Sequence, residues 1–183
     1  MSLRRMLSSL FSWSEDHYWK YHERYLAGGV LRPYYLWKMR RVESKRNAFV
    51  PHTADIRRFL TPHGLSGVFI SSGAVIGEGC VLFHQVTVGS NSLRGSKGVG
   101  APVLGDHVYI GAGAKIIGGI RIGSHVRIGA NCVVTEDVPD NCTVVMEKPR
   151  VIVRDTPPDN TFIAYTKGCE AELRVDRQDA DNG

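Results

Sequence analysis

The sequence predicts an all-β solenoid, a β-helix preceded by a short α-helical segment. Three observations carry the prediction: aliphatic residues recur every six positions, glycine follows most of them, and two helix-type stretches with their own stop signals come first. Counting in sixes from Ile70 gives Ile70, Ile76, Leu82 and Val88, then after a gap Leu104, Ile110, Ile116, Ile122, Ile128 and Val134, and all ten are aliphatic. Glycine comes next in six of the ten cases: Gly77, Gly89, Gly105, Gly111, Gly123 and Gly129. The fifth residue of each hexad is small or apolar at Ala74, Cys80, Val86, Val108, Ala114, Ile120, Val126, Cys132 and Val138, with Ser92 the polar exception. A period of six is neither the 3.6 of an amphipathic helix nor the alternation of an exposed strand. It is a short strand and a tight turn, repeated. The aliphatic residue points inward in register with its equivalents, the glycine relieves crowding where the chain turns, and three hexads close one triangular coil.

The elements follow in order. Residues 1–47 form a helical N-terminal segment rich in aromatics. Ser12 and Glu15 have the spacing of a capping box, so a first helix is expected over about 13–27, stopped by Gly28-Gly29. Pro33 suits the first turn of a second helix over about 33–45. Residues 48–153 form the β-helix, interrupted at 94–103 (RGSKGVGAPV). Ten residues are not a multiple of six, so this glycine-rich stretch leaves the repeat as a loop at a corner, where a rigid scaffold holds it for function. Residues 154–183 form a tail, and the acidic, weakly apolar stretch 166–183 reads as disordered at its end.

Charge narrows the function. The net charge is +5, but residues 1–48 carry ten Lys/Arg against four Asp/Glu and residues 49–183 thirteen against fourteen. The near-neutral body lacks the basic stripe of a nucleic-acid-binding domain, so no nucleic-acid partner is expected. Cys80, Cys132, Cys142 and Cys169 form no C-x-x-C pair, which points to a reduced, cytoplasmic setting without a zinc ribbon. Met6–Trp13 is short, broken by serines and lacks a cleavage site, so it is not read as a signal peptide, and no stretch approaches a membrane span. The aromatic, basic N-terminus suits a lid over the open end of the solenoid or an interfacial helix on a membrane. The general need of solenoids for a cap favours the lid.

Five strings, in order, resemble serine O-acetyltransferases and their relatives: Pro62–Ile70 (PHGLSGVFI), Phe83–Gly89 (FHQVTVG), Gly98–Asp106 (GVGAPVLGD), Tyr109–Gly118 (YIGAGAKIIG) and Ile128–Val134 (IGANCVV). The resemblance covers about residues 48–153. It implies a left-handed parallel β-helix, a homotrimer with active sites between neighbouring subunits, and acetyl transfer from acetyl-CoA to a hydroxyl. The family's D-H-A-T-G string aligns with Pro62–Gly67, which places His63 as the residue that activates the acceptor. Imidazole titrates near neutrality and can take a hydroxyl proton as attack begins. Turn amides or the glycine loop are the expected donors to the oxyanion that follows. His84, at the third position of its hexad, should face outward as a second base, an acceptor contact or a residue at the trimer seam. The short residues of GAGAK and GAN leave a groove for a pantetheine arm. There the resemblance implies Ala112, Gly113 and Ala130, with Lys97, Lys148 and Arg150 as candidates for the CoA phosphates by charge and location.

Two departures bear on the acceptor. The family's aspartate before the histidine is Pro62 here, and the Arg-His pair before the loop proline aligns with Gly100 and Ala101. Serine acetyltransferases also bring a longer helical domain. These differences favour the branch found with surface polysaccharides, whose acceptor is a sugar hydroxyl. The alternatives are a serine O-acetyltransferase of cysteine biosynthesis and, in another class, a non-catalytic β-helix scaffold. His107 and His125, 18 residues apart, should stack on one face as surface residues, and no metal is expected.

Overall fold

The six-residue pattern folds as read. A computed structural model describes residues 17–158 and shows a left-handed parallel β-helix behind two helices. The capping pair Ser12 and Glu15, Cys169 and the acidic tail lie outside the described residues. Eleven short strands build three sheets. The first holds β1 (Phe69–Ile70), β4 (Thr87–Gly89), β7 (Lys115–Ile117) and β10 (Val133–Val134). The second holds β2 (Val75–Ile76), β5 (Val103–Leu104) and β8 (Arg121–Ile122). The third holds β3 (Val81–Leu82), β6 (Tyr109–Ile110), β9 (Arg127–Ile128) and β11 (Thr143–Val144). All pairings are parallel, and the inward residues lie in register: Ile70, Val88, Ile116 and Val134 form one ladder, and Leu82, Ile110 and Ile128 another. Every one of the ten aliphatic positions is buried, each a gain of roughly 1.5–3 kcal/mol over exposure.

The small inward position also holds. Ala74, Cys80, Val86, Val108, Ala114, Ile120, Val126 and Cys132 are all buried. Burial pushes the Cys80 thiol up from its ordinary value, as expected of a core filler. Ser92 is the correction. Asn91 and Gly100 exchange backbone hydrogen bonds of 2.8 and 2.9 Å in an antiparallel bridge, so the loop has already left the corner when it reaches Ser92. Ser92 is exposed and Pro102 is buried on the return, which explains the polar residue in an apolar series.

The corners are stapled by side chains. The carboxylates of Asp106 and Asp140 each accept a backbone N–H at 2.8 Å, from Glu78 and Ser124 one coil below. Below the first hexads lies an irregular coil. Phe49, Ile56 and Leu60 bridge to Phe69, Ile76 and Val81, at spacings of 20 and 21 residues rather than 18.

The two helices sit on this first coil. α1 is helical over residues 17–26 and α2 spans Arg32–Arg46, with Pro33 in its first turn as expected. Asn47 ends α2 in the left-handed conformation (φ 48°), and the N–H of Ala48 returns to the Glu43 carbonyl at 2.9 Å. Tyr18 and Trp19 are buried, and the Trp19 ring meets Phe59 edge-on at 4.9 Å. α1 therefore covers apolar surface of the solenoid, as a lid does.

A buried polar cluster ties the helices to the chain entering the first coil. The Tyr18 hydroxyl donates to Glu43 Oε1 at 2.7 Å, and His52 Nε2 lies 2.8 Å from the same oxygen. His22 is buried beside His52, with Nε2 unpartnered and its ring bonded to the Pro51 carbonyl. Burial first, and His52 second, hold the His22 pKa below the ordinary 6.5, against a smaller opposing pull from Glu23 and Glu43. The unfolded chain therefore binds a proton that the folded lid refuses. Stability is complete above the unfolded value and is lost as the pH falls toward the folded one. Thermal melts between about pH 7.5 and 5 should show the midpoint falling with acid, and His22→Asn should flatten that slope. Equal slopes in both proteins would assign the acid sensitivity elsewhere.

The chain divides into two units, Met1–Glu147 and Lys148–Gly183. The described part of the second, to residue 158, is exposed and without regular structure.

Candidate functional site

Each coil turns from the third sheet back to the first at one corner, and that corner collects most of the residues singled out above. The column is read from its backbone bonds. The Gly113 N–H donates to the His84 carbonyl at 3.0 Å, and the Asn131 N–H to the Ala112 carbonyl at 2.8 Å. His84, Ala112 and Ala130 thus occupy equivalent places on successive coils. Left-handed residues recur beside them at Gly67, Gln85, Gly113 and Asn131. A Cβ at Gly111 would come within 2.6 Å of the Ala130 backbone nitrogen, so the glycine there is set by the close approach of the next coil.

His63 lies at the same corner, one irregular coil below. Its exposed ring stacks on His84 at 5.1 Å and 25° and lies 5.4 Å from Phe83. The wall continues upward: Phe83 meets Tyr109 at 5.2 Å, and the Arg127 guanidinium lies 5.9 Å over the Tyr109 ring. The site therefore has two imidazoles at its foot, an aromatic wall on the third sheet and short side chains up the corner. His84 is half-buried, and its Nδ1 is buried without a hydrogen-bond partner. Among the described residues both ion pairs involve Glu43, so none reaches His63.

Lys115 was not singled out by sequence. Its ammonium donates to the Gln85 carbonyl at 2.7 Å and the Gly113 carbonyl at 2.9 Å, clamping two coils of the column. The signal for it lay in the GAGAK string, where glycines drew attention instead. Tyr109 and Arg127 were also missed. Their 18-residue spacing puts both on the outer face of the third sheet, where their register is direct.

Other predicted residues lie apart. The loop leaves from the corner between the first and second sheets, so Lys97 sits across the first sheet from the histidine column within one chain. The loop is closed on itself: Asn91 Nδ2 donates to Ser96 Oγ at 2.8 Å and to the Lys97 carbonyl at 3.0 Å. Gly100 has φ 133°, and a Cβ there would meet Gly119 Cα at 3.0 Å, so a side chain at that point would be strained and tightly packed. Lys148 and Arg150 belong to the second unit and are exposed. His107 and His125 stack at 5.0 Å and 20° on the corner between the second and third sheets, as their spacing predicted.

The corner thus combines short side chains with two stacked imidazoles at its foot.

Comparisons with known proteins agree with the fold. Residues 101–136 match the model for the bacterial transferase hexapeptide, six repeats. A serine acetyltransferase of Synechococcus elongatus is 39% identical over 122 residues, 64% of this chain and 49% of the relative. The putative colanic acid biosynthesis acetyltransferase WcaB of Escherichia coli is 41% identical over 97 residues, 53% of this chain and 57% of the relative. The crystal structure of Entamoeba histolytica serine acetyltransferase 1 in complex with L-cysteine superposes with a TM-score of 0.56 at 39% identity, covering 71% of this chain and 50% of that one. The chain spans about half the length of the curated relatives it matches. Residues 101–136 thus carry the hexapeptide repeat of bacterial transferases, and the chain is similar over part of its length to serine acetyltransferases and to an acetyltransferase named for colanic acid biosynthesis.

Proposed function

We propose that the protein is an acetyl-CoA-dependent O-acetyltransferase that acetylates a hydroxyl of a small acceptor, and that the acceptor is a sugar of a surface polysaccharide. The observation that carries the reading is the single corner that holds His63, His84, Ala112 and Ala130 together. Acetyl-CoA, when bound, supplies an activated acetyl thioester. Ala112, Gly113 and Ala130 would line its pantetheine arm, and Lys97 would meet its phosphates. His63 takes the proton of the acceptor hydroxyl, and His84 orients that hydroxyl or shares the proton. The site works between copies of a homotrimer. Two features support this: the loop bearing Lys97 projects from the wrong corner to serve its own histidines, and His84 Nδ1 lacks a partner within one chain.

The glycine geometry at position 100 supports a sugar over serine. In the resemblance that place belongs to an arginine that helps grip serine, and here the positive φ and the close approach of Gly119 make a side chain at that point strained. Free serine is the second reading, favoured by the names of most of the similar proteins. One experiment addresses both: thiol release from acetyl-CoA with simple sugars, nucleotide-sugars and L-serine, on material whose mass is measured by light scattering. The expected result is a species three chains in mass that turns over a sugar acceptor faster than serine. Efficient serine turnover overturns the acceptor, a monomer overturns the shared site, and a trimer without CoA binding overturns the enzyme.

A further inference from the structure

We propose that the outer face of α2 docks the protein on an anionic lipid surface. This inference is independent of the acetyl-transfer reading. The helix has two faces. Tyr35, Met39 and Glu43 point into the protein, while Tyr34, Trp37, Lys38 and Arg41, with Val30 and Leu31 in the entry turn, follow helical spacing on the opposite side. Val30 is 97% exposed, Trp37 53% and Tyr34 47%, so large apolar groups stand in water on one stripe. A contiguous patch of this kind marks an interaction surface.

The chemistry of the stripe selects the partner. Tyrosine and tryptophan are the residues that settle at the headgroup level of a bilayer. Cations are interleaved with them: the Lys38 ammonium lies 5.4 Å from the Tyr34 ring and 5.5 Å from Trp37, and the Arg41 guanidinium 5.5 Å from Trp37. From Val30 to Val42 there are four Lys/Arg and no acid, and the next acid, Glu43, is buried. Arg40 pairs with that Glu43 at 3.5 Å, and the remaining positive charge of Arg32, Lys38 and Arg41 complements an anionic surface. Among the described residues no helix is long and apolar enough to cross a membrane, and the contact proposed is a peripheral one. Lid and docking surface coexist, because α1 covers the solenoid with Tyr18 and Trp19 while α2 turns its aromatic stripe away.

The test uses the full chain and vesicles of phosphatidylcholine alone or with roughly a third phosphatidylglycerol. The protein should sediment with the anionic vesicles, remain free of the neutral ones and be released by salt. Tyr34→Ser with Trp37→Ser, and Lys38→Glu with Arg41→Glu, should each weaken binding at least about tenfold without changing the melting temperature. Equal binding to neutral vesicles, or unchanged binding by both double variants, overturns the proposal. So does a fall in oligomer mass in the Trp37 variant, which would show that a second copy covers the face.

Discussion

Replacement of His63 by alanine is expected to lower kcat for acetyl transfer by roughly two to four orders of magnitude, the usual contribution of positioned proton transfer. The ring is exposed and its contacts are two other rings, so neither the solenoid core nor the corner column depends on it. CoA binding and the melting temperature should therefore survive, and His63→Asn, which keeps size without basicity, should be nearly as damaging as alanine. His84→Ala is the rival. Its ring lies against His63 and its Nδ1 is buried without a partner, so its loss should cost less and fall partly on KM. If His84→Ala abolishes activity while His63→Ala costs a few-fold, the two roles are exchanged.

The second large effect is steric. On the proposed function, Ala112→Trp or Ala130→Trp should eliminate detectable CoA binding in a titration while leaving the mass in solution and the melting curve unchanged. Both residues sit on the turn of the histidine column, outside the ladder of buried residues, and Ala130 is exposed. A bulky ring there fills the groove and does not disturb the core. Normal CoA binding by both variants would move the groove to another corner.

The repeat was legible because it rests on local physics: one inward aliphatic residue per strand and small or left-handed residues where coils touch. The coil from Phe49 to Leu65 escaped the count. Its bridges are spaced by 20 and 21 residues, and it is filled by large side chains such as Phe59 that meet Trp19 of the lid. A period search is blind to a coil shaped by its cap. The convergence of His84 with Ala112 was hidden for a different reason. The loop stretches their spacing to 28 residues, where Ala112 and Ala130 keep the regular 18. The cluster of Tyr18, Glu43 and His52 links residues far apart in sequence, and no local pattern announces it. Of the candidate site, the histidines and corner alanines were legible from their strings, while Lys115, Tyr109 and Arg127 needed the register between coils.

The loop's manner of leaving the helix bears on how such a protein changes over generations. Between Val88 and Ile116 the chain makes an excursion, yet the two residues pair as if nothing intervened, and the coils above and below keep their alignment. The backbone bridge between Asn91 and Gly100 seals the excursion at its base. Beyond that seal the chain touches the next coil once more, where the Gly119 N–H donates to the Gly98 carbonyl at 2.8 Å, so the stretch that can lengthen or shorten with little effect on folding is the tip at 92–97, since the cost of loop closure grows only slowly with length. On the proposed function, what this loop contributes to the acceptor site can change while the coils stay under separate, stricter selection. Grafting the segment between two such proteins is then a way to ask which acceptor each one inherited.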